Sequence, residues 1–227
     1  MAEAELKRHA LAFLTPQGKA LLKKELYPLY AGEEQDRLKE VLEGGADVPG
    51  IVRRAERREA RLALGFVPQR RLSSGNRLRI AAYAPSDAVR KLRSPYELAQ
   101  EDFPVRNLSM EAVQRLCALA LARGITIGVI GSAGLEIATG LPYTDEASDL
   151  DMLLKPAPHR LLAEFYREAK EMYPRLVLDF EVELPNGYGI KLAELFMDGR
   201  SVLGKSVCDV RLLQKEDIAV FFKETLI

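Results

Sequence analysis

Two short stretches, Ser-Asp-Leu-Asp-Met-Leu-Leu at 148–154 and Val-Leu-Asp-Phe-Glu-Val-Glu-Leu at 177–184, alternate acidic and apolar side chains. A period of two marks a β-strand, whose successive side chains point to opposite faces. In the first, Asp149, Asp151 and Leu153 share one face while Leu150, Met152 and Leu154 share the other. In the second, Asp179, Glu181 and Glu183 lie opposite Leu178, Phe180 and Val182. A chain carrying both must build a sheet with one packed face and one acidic face. Asp149 and Asp151 stand about 6.5–7 Å apart at Cα on an extended strand. Left unneutralised, two such carboxylates raise a pKa or destabilise the fold, and a hard cation such as Mg²⁺ removes the conflict. If the second strand pairs beside the first, Asp179 or Glu181 completes a three-carboxylate cluster, and Glu183 reads as part of a wet face. Two metal ions about 3.5–4 Å apart suit such a set.

Just upstream, Ile-Thr-Ile-Gly-Val-Ile-Gly-Ser (125–132) reads as a buried strand ending in a Gly-Ser turn, followed by a short helix over Ala-Gly-Leu-Glu-Ile-Ala-Thr-Gly (133–140). Gly131 permits a tight turn, and the free backbone N–H groups of a helix start, with the Ser132 hydroxyl, can hold phosphate oxygens. A phosphate-holding turn next to an Asp-x-Asp strand points to metal-assisted chemistry on a polyphosphate.

The wider pattern predicts an α+β protein: a small N-terminal α+β domain over 1–98, for substrate or carrier binding, then a mixed-sheet catalytic domain over 99–227. Helices are expected over 19–30 and 33–43, the latter stopped by Gly44-Gly45, and strands near 48–54, 62–71 and 77–85 with a turn at Gly75-Asn76. Residues 94–107 read as a connector. A helix follows over 109–124, capped by Ser109, with Met110, Val113, Cys117 and Leu121 on its apolar face and Gly124 at its end. A further helix over 158–174 precedes two strands that turn at Pro185-Asn186-Gly187.

Charge is unevenly spread although the 227 residues balance to a formal zero. Residues 48–93 carry twelve Arg/Lys against three Asp/Glu, whereas residues 94–227 carry fourteen against twenty-one. The basic segment is a candidate for polyphosphate or carrier contact, with Arg53 and Arg54 first because the guanidinium fork suits bidentate phosphate binding, and Lys205, outside that segment, ranks after them. Arg57, Arg58 and Arg61 read as a solvated helix face. Basic residues are not interleaved with aromatic ones as a nucleic-acid groove requires, so no nucleic-acid partner is expected. The first 30 residues lack a signal peptide's apolar centre, and no run of 18 apolar residues occurs, so a cytoplasmic protein with no membrane partner is expected. Cys117 and Cys208 read as small core residues. His9 and His159, far apart, read as structural supports rather than zinc ligands. Thr139, Gly140 and Tyr143 are placed to shape a nucleotide pocket, or in Tyr143's case simply to pack the loop.

The order Gly-Ser, helix, Asp-x-Asp strand ("IGSAGLEIATG" and "SDLDMLL") resembles the core motif of the nucleotidyltransferase superfamily. Over a longer span, "RHALAFL", "IVRR", "GSAGLEIATGLPYTDEASDLDML", "LDFEVELPNG", "KLAEL" and "VLGKS" resemble the phosphoribosyl-dephospho-CoA transferase family of malonate decarboxylase, also called holo-acyl-carrier-protein synthases. The resemblance implies transfer of a 2'-(5''-triphosphoribosyl)-3'-dephospho-CoA group to a serine of the acyl carrier subunit, with diphosphate leaving. It implies Mg²⁺ or Mn²⁺ on Asp149 and Asp151, with Asp179 or Glu181 as third carboxylate, and phosphate contacts at Gly131 and Ser132. A nucleotidyltransferase with another protein or small-molecule acceptor, or a non-enzymatic coenzyme-binding or carrier-binding protein, are the competing expectations.

Overall fold

In the computed structural model, which describes residues 7–55, 61–146 and 148–222, the chain divides between Ser94 and Pro95 into two units, each with its own sheet. The first unit runs β1 (Leu11–Leu14), α1 (Pro16–Leu26), α2 (Gly32–Glu43), β2 (Gly50–Val52), β3 (Leu62–Phe66), β4 (Ile80–Ala84) and β5 (Val89–Arg93). Its strands pair antiparallel in the order β4-β3-β2-β1-β5. The first helix starts where Thr15 accepts a hydrogen bond from the Gly18 N–H at 3.0 Å and Pro16 takes the first turn, which needs no N–H there. It therefore begins three residues before the expected Lys19. Leu22 and Leu26 of α1 and Leu38, Val41 and Leu42 of α2 are buried.

The expected turn at Gly75-Asn76 is present, with Gly75 at φ +84° and its N–H bonded to the Leu72 carbonyl at 2.8 Å. Strands β1 and β5 have no counterpart among the sequence expectations. All four residues of β1 are buried, which erases the alternation that marks a half-wet strand. Strand β5 lies at the sheet's edge, where Arg90 and Lys91 are exposed.

The second unit runs α3 (Pro95–Leu98), α4 (Leu108–Ala122), β6 (Ile127–Val129), α5 (Gly131–Thr139), β7 (Leu150–Leu154), α6 (His159–Met172), β8 (Leu178–Glu183), β9 (Gly189–Lys191), α7 (Leu192–Phe196), β10 (Ser201–Lys205), β11 (Val210–Gln214) and α8 (Lys215–Ile218). The division falls before Pro95 rather than after Leu98 because α3 packs on β6: a Cβ on Gly128 would lie 2.8 Å from the Pro95 Cβ.

The mixed six-stranded sheet has the order β11-β10-β9-β8-β7-β6, with β7 and β8 parallel and the other neighbours antiparallel. A parallel pair needs a crossover, and α6 supplies it. Its buried stripe of Leu162, Phe165 and Ala169 covers the apolar side of β8, where Phe165 meets Phe180 edge-on at 5.4 Å. Strand β8 alternates buried and half-buried residues as its sequence predicts. The turn after it is also as expected: Gly187 takes φ +85° and donates to the Leu184 carbonyl at 3.0 Å.

Two details of α4 differ from expectation. Asn107, not Ser109, is the cap and accepts from the Met110 N–H at 2.9 Å. Ser109 is instead buried, with its hydroxyl near the carbonyls of Asp145 and Ser148. Leu121 is exposed, since the packed stripe runs through Met110, Val113, Leu116 and Ala120. Cys117 is half-buried, its thiol pushed up to about 11 by desolvation. Cys208 is exposed rather than in the core, because it sits in the tight turn closed by Ser206 and Asp209 between β10 and β11.

Candidate active site

The end of β6 and the start of β7 meet at one point. The Ile130 N–H bonds to the Asp151 carbonyl at 3.3 Å, and the next residue, Gly131, turns into α5 at φ +63°. A Cβ built on Gly131 would lie 2.4 Å from Asp151 Oδ2 and 3.2 Å from its Cβ and Cγ. Glycine is thus required twice here, for the left-handed backbone and for the carboxylate lying against it. Ile130 offers α5 no side-chain cap, and its carbonyl accepts from the Gly134 N–H at 3.2 Å, so the N–H groups of Gly131, Ser132 and Ala133 are the ones a helix leaves without a partner of its own. Further along, a Cβ on Gly134 would come within 3.0 Å of the Val129 carbonyl oxygen, so a second glycine lets α5 lie close on β6.

The parallel register sets Asp151 directly opposite Asp179, and Leu153 opposite Glu181. Adjacent strands lie about 4.8 Å apart, so Asp151 and Asp179 are the nearest acidic pair across this ladder. Asp149 is exposed and immediately precedes β7 rather than lying within it. Lys191, opposite Glu181 on β9, donates from Nζ to Asp179 Oδ2 at 2.6 Å. That hydrogen bond, with the charges of Asp179, Glu181 and Asp151, holds the Lys191 ammonium above the usual lysine range. Among the described residues no three Asp, Glu, His or Cys side chains stand in a ready metal-ligating group. The donor set nevertheless fits a hard divalent cation: carboxylate oxygens on neighbouring strands, one pressed against a glycine at the start of a helix.

An ion pair with a buried carboxylate and a partly exposed arginine braces the loop between α5 and β7. Glu136, 6% exposed, receives Arg106 Nε at 2.6 Å and Nη2 at 2.8 Å, and also the Thr144 N–H at 2.7 Å and hydroxyl at 2.8 Å. Burial opposes its ionisation, but these hydrogen bonds and the Arg106 charge outweigh it and keep the Glu136 carboxyl below its usual range. Asn107 adds a bond to the Thr144 hydroxyl at 2.9 Å. The sequence reading missed this network, for its members are 30 and 38 residues from Arg106 and no local pattern links them.

The remaining anticipated residues lie elsewhere. Ser132 is half-buried in the first turn of α5. Lys205 is on β10, three strands from β7, or about 14 Å across the sheet. Arg53 and Arg54 belong to the first unit. The Arg53 guanidinium lies over the Tyr83 ring at 5.8 Å, and Nε is 3.4 Å from the Leu64 carbonyl oxygen, while Arg54 is exposed.

Arg61 is not on a helix but in a bend before β3, paired with Glu25 at 2.9 Å, and the expectations for Arg57 and Arg58 fall outside the described residues. Tyr143 is completely buried and packs the loop. Glu183 is bound by Lys155 Nζ at 2.6 Å and the Tyr96 hydroxyl at 2.7 Å rather than standing on a wet face. His159 stacks edge-on against Phe196 at 5.1 Å, and His9 supports the chain through an N–H bond to the Val52 carbonyl at 2.9 Å.

Two family models divide the chain as the structure does. The model for the phosphoribosyl-dephospho-CoA transferase MdcG N-terminal domain matches residues 7–95, and that for its C-terminal domain matches residues 97–216. The chain belongs to the phosphoribosyl-dephospho-CoA transferase family. It is 35% identical to a phosphoribosyl-dephospho-CoA transferase of Azotobacter vinelandii, over 77% of this chain and 81% of the relative. It is also 35% identical to one of Pseudomonas aeruginosa, over 67% and 70%, and 31% identical to one of Klebsiella pneumoniae, over 71% and 78%. No solved structure matches the chain. The two-domain α+β architecture is that of the family, and no helix among the described residues is long and apolar enough to cross a membrane.

Proposed function

We propose that this member of the family transfers a 2'-(5''-triphosphoribosyl)-3'-dephospho-CoA group to a serine hydroxyl of the acyl carrier subunit of malonate decarboxylase, releasing diphosphate. The observation that carries the reading is the contact of Gly131 with the Asp151 carboxylate, itself in register with Asp179. The serine Oγ forms a bond to the α-phosphorus as the bond from that phosphorus to the β-phosphate oxygen breaks. The hydroxyl proton passes to Asp179, the third carboxylate favoured by the register over Glu181. The N–H groups at the start of α5 and the Ser132 hydroxyl hold the β- and γ-phosphate oxygens in line. Asp149, Asp151 and Asp179 would hold Mg²⁺, or Mn²⁺ in its place, which when bound makes the hydroxyl a better nucleophile and offsets charge on the departing diphosphate. Arg53, Arg54 and Lys205 are the basic groups assigned to coenzyme or carrier binding.

The test is to incubate the protein with the triphosphoribosyl coenzyme, Mg²⁺ and apo-carrier, and to weigh the carrier by mass spectrometry. A mass increase equal to the phosphoribosyl-dephospho-CoA group is expected, and Asp151→Asn should abolish it while leaving the circular dichroism spectrum unchanged. No adduct with the folded wild type overturns the named substrate, and an unimpaired Asp151→Asn variant overturns the site.

A further inference from the structure

Lys191 is a cation that a carboxylate of β8, Asp179, already holds. It is supplied by the strand on the far side of β8: the Glu181–Lys191 register brings its stem over the acidic face, and its Nζ reaches back two residues along β8 to Asp179 Oδ2 at 2.6 Å. The side chains of Lys191 and Asp179 are 43% and 34% exposed, so the pair is open to solvent and can exchange partners. An ion pair this accessible is worth little as a structural brace. It does, however, occupy an oxygen of the very carboxylate that stands opposite Asp151.

We infer that Lys191 is a built-in counter-cation of the acidic face, which balances Asp179 while the site is unloaded and is displaced when a divalent cation arrives. The inference rests on the metal reading above and deepens it. Competition of this kind sets the affinity of the site: a bound ammonium must first release Asp179, so the cation binds less tightly than the carboxylates alone would allow. It also leaves a free ammonium at the rim of the loaded site, within one side-chain swing of any polyphosphate held there.

The test measures Mn²⁺ binding directly, by the loss of the free-ion electron paramagnetic resonance signal, on the full chain without coenzyme. Lys191→Met and Lys191→Gln should each bind Mn²⁺ about tenfold more tightly than the wild type, whereas Lys191→Arg, which keeps the charge, should bind as the wild type does. Unchanged or weaker binding in folded neutral variants overturns the inference and leaves the metal reading standing. No saturable binding by the wild type or any variant overturns both. Should the neutral variants fail to fold, the wild type decides: Mn²⁺ should increase acylation of Lys191 by an amine-selective reagent, scored by peptide mass, and no increase overturns the displacement.

Discussion

Replacement of Gly131 by alanine separates backbone strain from damage to the carboxylate. A non-glycine residue at φ +63° costs about 1–2 kcal/mol, which lowers the melting temperature by a few degrees. The added Cβ also falls 2.4 Å from Asp151 Oδ2, where ordinary contact begins near 3.4 Å. The carboxylate must therefore retreat by about 1 Å, a displacement that costs a rate on the order of 100-fold. Gly124 is the matched control: its φ is +67°, but a Cβ there would meet nothing within 4 Å. Gly131→Ala and Gly124→Ala should thus lose similar stability in thermal denaturation. In the carrier-loading assay, followed by mass over time, only Gly131→Ala should lose kcat. Wild-type transfer by a folded Gly131→Ala protein, or an equal loss in Gly124→Ala, would refute the reasoning that the Gly131–Asp151 contact sets the chemistry.

The pair of Arg106 and Glu136 gives a second measurable consequence: Arg106→Ala, which strands a nearly buried carboxylate, should destabilise the protein by about 2–3 kcal/mol, after allowing for the 38% exposure of the arginine, as read by urea denaturation at neutral pH. Because the folded-state pKa of Glu136 is held below its ordinary value of 4.5, the stability it contributes is complete above that value and is lost as pH falls through the lower one, so Glu136→Gln should flatten the acid limb of a stability–pH profile. Arg54→Ala should weaken coenzyme or carrier binding in a titration without changing the melting temperature, whereas Arg53→Ala, which removes the Tyr83 and Leu64 contacts, should lower both.

Much of the site could be read from sequence because its residues sit in segments with short, regular periods. Alternation in β8 gave the acidic face, and Gly131-Ser132 gave the turn against which Asp151 lies. What escaped was set by partners remote in the chain. Nothing near Lys191 announces a pairing with Asp179, since their approach depends on the β8–β9 register and hence on the turn at Gly187. Strand β1 escaped because complete burial removes the polar half of the pattern, and strand β11 because its residues are largely exposed on both sides. Cys208 was misread for the same reason: a small apolar residue type says core, but the Ser206–Asp209 turn places it at the surface. Asn107 overtook Ser109 as a cap because the helix begins two residues earlier than its apolar stripe suggests.

The alternation along β8 ties the accuracy of the acidic cluster to the apolar layer behind it. Sliding this strand by one residue against β7 would point Phe180 and Val182 into solvent and drive Asp179 and Glu181 against α6. The misaligned state is therefore forbidden by lost hydrophobic contact long before any ion or coenzyme is present, and the enzyme's alignment comes with folding itself rather than waiting for its ligands to impose it.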